Sequence, residues 1–166
     1  MNKIKVINDP SELVPVLRAV DTPVKRDVLK EVTGEWKTAN DIEAKFGPEG
    51  REAITFFEKM KLVETRWIST NGGYPEKSYS TSYGSFSINA QWPIYEISDV
   101  LYVAMLSDEE YAEIEQKILG MVGTSGCFYG DVAEALGLTA TMLKSMVRRS
   151  VKMDLRGHKI EPIKDA

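Results

Sequence analysis

One stretch, residues 38–66, limits what this chain can fold into more than any other. It reads T-A-N-D-I-E-A-K-F-G-P-E-G-R-E-A-I-T-F-F-E-K-M-K-L-V-E-T-R. Thr38 suits a helix N-cap, and Asp41 places an acid in the first turn, where the helix dipole favours it. Ile42 and Phe46 share a face at i,i+4 spacing. Gly47 fits the left-handed residue that ends a helix, and Pro48 fits the first turn of the next. In that second helix Ala53, Phe56, Phe57 and Met60 cluster on one side, while Arg51, Thr55 and Lys59 lie on the other. Leu62-Val63 opens an extended run. A short helix, a tight turn, a longer helix and a strand make a helix-turn-helix that runs into a β wing.

The flanks extend this pattern. Asp9-Pro10-Ser11-Glu12 and Thr22-Pro23 are helix starts, each a capping residue followed by proline. The first helix carries Leu13, Val16, Leu17 and Val20 as an apolar stripe. Core packing and a dimer contact are equal readings of it. The second carries Val24, Val28, Leu29 and Val32 inward and ends at Gly34. Beyond Val63, residues 63–69 and 77–83 have strand composition, with turn residues between them. Gly84 marks a bulge or the end of regularity, because the bulky positions change parity after Tyr83. The hairpin tip, flanked by Arg66 and Lys77, reads either as a DNA-touching wing or as a solvated loop. Ser98 is a cap for a helix with Val100, Leu101, Val103, Ala104 and Met105, and Ser107-Asp108-Glu109-Glu110 is a capping box.

A shift of 90 residues then superposes the two halves without a gap. Val28-Leu29 falls on Ile118-Leu119, Val32 on Val122, Ile42 on Val132, Phe46 on Leu136 and Gly47 on Gly137. The period exceeds that of solenoid repeats, so it reads as two copies of one domain type. In the second copy Tyr129–Leu136 is the first helix and Thr139 to about Lys152 the second. Met142, Leu143, Met146 and Val147 are expected inward, and Thr141, Lys144, Ser145, Arg148, Arg149 and Lys152 outward. A short strand over 159–163 closes this copy, with little room for a wing. The fold class is mainly α with a small β wing (α+β), as two tandem winged-helix or helix-turn-helix-type domains. The expected boundaries are 1–90 and 107–166, joined by a helical connector over 91–106.

Residues 22–83 resemble the winged helix-turn-helix domains of ArsR-like transcriptional regulators, especially archaeal ones. The carrying motifs are I-T-F-F-E-K-M-K-L-V-E at 54–64, like the family's recognition helix with its Leu-Val ending, and Y-P-E-K-S-Y-S at 74–80, like its wing. A glycine commonly precedes the Leu-Val pair, where Lys61 stands here. The cysteine motif of metal-sensing members is absent from the recognition helix. The resemblance implies DNA binding as a homodimer and gives no support to metal sensing.

A recognition helix lies in the major groove, with arginine and lysine nearby neutralising phosphates. The candidate contacts to double-stranded DNA are Arg51, Thr55, Lys59, Arg66 and Lys77 in the first half, and Lys144, Arg148, Arg149 and Lys152 in the second. Net charge is −4, but residues 138–166 hold seven bases against three acids. Glu49, Glu52 and Glu58 oppose DNA on the first recognition helix, so the second half has the better basic footprint. A merely solvated basic helix is the competing reading.

Catalytic and metal-binding arrangements are not found. His158 and Cys127 are the sole histidine and cysteine, too few for a four-ligand zinc site. No cofactor is implied. Cys127 reads as a buried structural thiol rather than a redox sensor. No apolar run nears the ~20 residues of a membrane span, and the N-terminus is too polar for a signal peptide, so a cytoplasmic protein is expected. The leading reading is a non-enzymatic DNA-binding regulator. Its rival is a tandem winged-helix scaffold of a chromosome or transcription complex. A third is a small-molecule sensor with a pocket near Trp92, Tyr95 and Tyr102, aromatics that also suit a core.

Overall fold

The computed structural model describes residues 3–81 and 83–164; Ser82, inside the expected strand 77–83, lies outside them. The architecture is α+β. The chain groups into two compact units, Met1–Val6 with Ala19–Ile88, and Ile7–Arg18 with Asn89–Ala166. Residues 7–18 fall inside the range expected for the first domain but pack with the second unit. The expected connector also belongs there.

The first unit holds β1 (Lys3–Ile7, its last residue in the other unit), α2 (Pro23–Glu31), β2 (Lys37–Thr38), α3 (Ala39–Lys59), β3 (Val63–Ser69), β4 (Pro75–Thr81) and β5 (Tyr83–Ile88), while α1 belongs to the second unit. Thr38 and Asp41 form a reciprocal capping box at the start of α3. The helix breaks at Gly47, whose φ of 72° and ψ of −165° supply the expected turn before Pro48. Gly50 lets the two halves of α3 approach: a Cβ there would lie 2.6 Å from Phe46 Cβ. The core comprises Val28, Val32, Ile42, Ala53, Ile54, Phe57 and their neighbours, covered by Tyr79 of β4. The sheet order is β2-β4-β3, with Val63 opposite Thr81 and Ser69 opposite Pro75.

Two expectations for this unit change. The chain does not lose regularity at Gly84. It continues as β5, which leaves β4's sheet and pairs with β1, a strand that the polar N-terminus did not suggest. Lys61 takes the left-handed conformation, with φ 57°. Its N–H donates to Glu58 O, and the Leu62 N–H donates to Phe57 O, a Schellman ending for α3. The backbone therefore adopts what a glycine would supply, with a lysine in its place. Lys61→Gly is expected to raise stability by about 1 kcal/mol, seen as a higher urea midpoint at constant m-value.

The second unit holds a 3-10 turn (Pro10–Glu12) leading into α1 (Leu13–Arg18), then α4 (Ile94–Met105), α5 (Asp108–Val122), β6 (Cys127–Phe128), α6 (Tyr129–Leu136), α7 (Ala140–Arg149), β7 (Met153–Arg156) and β8 (Lys159–Pro162). Asp9 and Glu12 form the expected capping box, as do Ser107 and Glu110. The α1 stripe is rotated from the expected one. Val14 and Pro15 are buried, whereas Leu17 is exposed, because the 3-10 turn resets the helical phase before a six-residue helix. Helix α4 begins at Ile94 behind Pro93, so Ser98 is an interior residue and not a cap. The sheet order is β6-β8-β7. The second half thus has a hairpin after all. Arg156 pairs with Lys159 across a Gly157-His158 turn, and a two-residue loop needs little chain.

Positions 90 residues apart match in burial: Val28 and Ile118, Val32 and Val122, Ile42 and Val132, Ala53 and Leu143, Phe57 and Val147, Val63 and Met153 are all buried. The strand pairs match as well, with β2 and β6 each paired to the second strand of a hairpin.

Candidate nucleic-acid interface

The second half of α3 presents an outward face. Glu49, Arg51, Glu52 and Thr55 are exposed, while Ala53, Ile54, Phe56 and Phe57 hold the opposite side in the core. Arg51 is turned back along the helix-turn-helix: its Nε pairs with Glu43 and its Nη2 donates to Asn40 Oδ1 at 2.7 Å. The Thr55 hydroxyl donates to Arg51 O at 3.0 Å, and Lys59 is half-buried at the end of the same helix.

The β3–β4 hairpin supplies the remaining cations of this unit. Lys77 Nζ lies 2.5 Å from Glu58 Oε1 and 5.8 Å from the Trp67 ring centre. Glu58 also faces Tyr79, whose pKa is pushed up to about 12, first by burial and then by the Glu58 charge. Arg66 stacks over Trp36 at 4.1 Å from the ring centre, which fixes the guanidinium plane while leaving it in solvent. Trp67 and Tyr74 stand exposed on the hairpin. The structure therefore brings Arg51, Thr55, Arg66 and Lys77 to α3 and its adjoining hairpin, and it opposes two of the cations with Glu43 and Glu58. Glu43 lies across the Gly47 break from Arg51, so no helical periodicity pointed to their pairing. Trp36 lies between elements and carried no pattern either.

The second half departs from expectation. From Thr141 to Ser150 no residue of α7 is exposed. The 3-10 turn, α1, α4, α5 and α6 all pack against this helix. Ser145, expected outward, is fully buried, and its Oγ has no hydrogen-bond partner. Arg149, expected at the DNA, is 5 % exposed. Its Nη1 donates to Val103 O at 2.9 Å and Leu106 O at 2.8 Å, its Nη2 donates to Asp108 at 3.0 Å, and its guanidinium lies 4.3 Å from the Tyr111 ring centre. Burial, followed by the charge of Arg18, holds the Arg149 pKa below its ordinary value, with Asp108 pulling the other way. Arg149 is a structural strut between α7 and the α4–α5 corner.

The other three basic residues of this half are also constrained. Lys144 lies 5.4 Å from the Tyr129 ring centre. Lys152 pairs at 3.0 Å with Glu115, itself buried. Arg148 is half-buried, with an Nε that lacks a partner. At the N-terminal end of α7, Thr139 donates to Asp99 at 2.6 Å and Thr141 to Glu96 at 3.4 Å. Two carboxylates of α4 thus sit where a groove-reading helix would meet bases. The basic surplus of this segment is real in sequence, but Arg149 is turned inward and Lys152 is paired with Glu115.

Among the described residues no cluster of three or more His, Cys, Asp or Glu could hold a metal, and no helix is long and apolar enough to cross a membrane. Trp92 donates from Nε1 to Asn8 O at 3.2 Å, while Tyr95 and Tyr102 are exposed. Those two therefore lie outside the core. Cys127 is half-buried on β6.

Among curated proteins none matches the chain. The family model described as the ArsR transcriptional regulator matches residues 7–164. Regulators of this family bind DNA and are generally non-enzymatic. With a match that runs through both units, the chain belongs to the ArsR family of transcriptional regulators.

Proposed function

We propose that this regulator reads duplex DNA with the second half of α3 in the major groove and the β3–β4 hairpin as a wing. The observation that carries this is the contrast between the two equivalent helices. Helix α3 exposes Arg51, Glu52 and Thr55, whereas α7 exposes nothing between Thr141 and Ser150. A helix must be bare along one side to enter a groove about 12 Å wide. On this reading the chain is two tandem winged-helix copies, of which the first contacts DNA and the second serves as scaffold, and it acts as a cytoplasmic homodimer. Arg51, Thr55, Lys59, Arg66 and Lys77 are the contacts. Lys144, Arg148 and Lys152 are at most peripheral, and Arg149 is excluded by its burial.

The scaffold reading has one observation in its favour. Glu49 and Glu52 flank Arg51 in solvent, and Glu43 and Glu58 hold Arg51 and Lys77. The two readings separate in fluorescence anisotropy with a mixed-sequence duplex over a salt series. The expected result is affinity that falls with salt at a log–log slope of about −0.9 per neutralised phosphate, unchanged by Lys144→Glu. No binding at low salt would overturn the DNA reading in favour of a protein partner.

A further inference from the structure

The cations of the β3–β4 hairpin sit toward its base, and its tip carries none. Ser69 and Pro75 face each other at the end of the ladder, and between them the chain reads Thr70-Asn71-Gly72-Gly73-Tyr74, without a charged side chain. The turn is closed by its own bonds. Thr70 donates to Tyr74 O from its hydroxyl at 2.9 Å and from its N–H at 3.4 Å, and the Gly73 N–H donates to Thr70 O at 2.9 Å. Gly72 and Gly73 have open space where a Cβ would stand, so the tip is slim. Tyr74 is its one large side chain. It stands on a pinned backbone and is 81 % exposed, so nothing in its own unit covers it. The nearest acid, Glu76, is half-buried, with its Oε1 out of water.

We infer that Tyr74 is a specificity-determining residue: its phenolic O–H donates to base edges in the minor groove and so selects A·T pairs over G·C pairs. This rests on the DNA reading proposed above and names the base edges that the hairpin takes. Shape comes first. The minor groove is about 6 Å wide and about 7.5 Å deep, and a tip built on two glycines enters it with only one bulky side chain. Reach comes second. Lys77 follows Tyr74 by three residues, about 10 Å of strand at roughly 3.3 Å per residue. With Tyr74 at the groove floor, Lys77 is therefore level with the phosphates and clear of the bases. The base of the hairpin positions and its tip reads. Chemistry comes third. An A·T pair in either orientation offers only the acceptors A N3 and T O2, whereas a G·C pair adds the guanine N2 amino group, a donor. The tyrosine hydroxyl is a donor too. It finds an acceptor on every A·T pair and meets an opposing amino group on every G·C pair.

The test compares a G·C-rich duplex with the same duplex carrying inosine in place of every guanine. Inosine keeps the O6 and N7 acceptors of the major groove and lacks the N2 amino group, so only the minor groove changes. Affinities of the full chain and of Tyr74→Phe are read by fluorescence anisotropy at low salt. The parent is expected to bind the inosine duplex about tenfold more tightly. Tyr74→Phe is expected to bind the two duplexes equally, at the parent's melting temperature, because the hydroxyl stands in solvent. A parent that binds both duplexes equally overturns this inference and leaves the DNA reading intact. A preference for inosine that survives in Tyr74→Phe also overturns it, by assigning the effect to groove shape. A parent that binds neither duplex overturns the DNA reading, and this inference with it.

Discussion

Arg51→Glu combined with Lys77→Glu is expected to weaken duplex binding by about 100-fold at low salt and to cut the salt slope by about two, one for each phosphate no longer neutralised. Their partners should act in the opposite direction. Glu43 holds Arg51, and Glu58 holds Lys77. Each carboxylate repels phosphate and must release its cation before that cation can reach DNA. Glu43→Gln with Glu58→Gln is thus expected to tighten binding by roughly tenfold, since removing an acid beside the backbone works like adding a base there. Fold stability should move little in either pair, because exposed ion pairs contribute about 0–1 kcal/mol. Anisotropy with melting temperatures measured alongside checks both arms. Tightening that fails to appear in the glutamine variant would mean that Arg51 and Lys77 stay in their intramolecular pairs when DNA binds.

Arg149→Met is expected to destabilise the chain by about 3 kcal/mol without altering the DNA salt slope, because removing one partner of a buried charged network strands the other groups. Two carbonyls, Val103 O and Leu106 O, would lose a donor in the interior, and each buried orphan costs about 1–3 kcal/mol. Methionine keeps much of the volume beside Tyr111, so the loss comes from polarity more than packing. Chemical denaturation followed by circular dichroism reads it. Arg149→Glu should fail to fold, since it sets a carboxylate against those carbonyls and against Asp108. A charge-reversal scan would score that failure as lost DNA binding, and only the stability measurement separates the two causes.

Local chemistry was largely readable from sequence. Capping by Asp9, Thr22, Thr38 and Ser107 stands as expected, because the signal lies within four residues of its effect. The Gly47 turn and the buried sides of the second half of α3 were legible for the same reason. The surroundings of α7 were not. Its pattern has the right period, but a pattern cannot tell solvent from a neighbour that arrives from elsewhere in the chain. Ser145 and Arg149 look outward on a helical wheel and are covered by α1, the 3-10 turn and α4. The pairing of β1 with β5 was hidden similarly, since strands 3–7 and 83–88 meet across most of the first unit. Of the apolar residues expected on the helix after Ser98, Val100, Val103 and Ala104 are buried and Leu101 and Met105 are exposed.

The placement of residues 7–18 carries a consequence for synthesis. These residues leave the ribosome well before α7, the helix they cover, which follows more than a hundred residues later. At 5–20 residues per second the wait is roughly 6 to 25 s. Throughout it, the 3-10 turn and α1 have α4 to pack on but not α7. The first-made segment of this half therefore completes its packing late, and any fragment ending before residue 140 leaves it without α7.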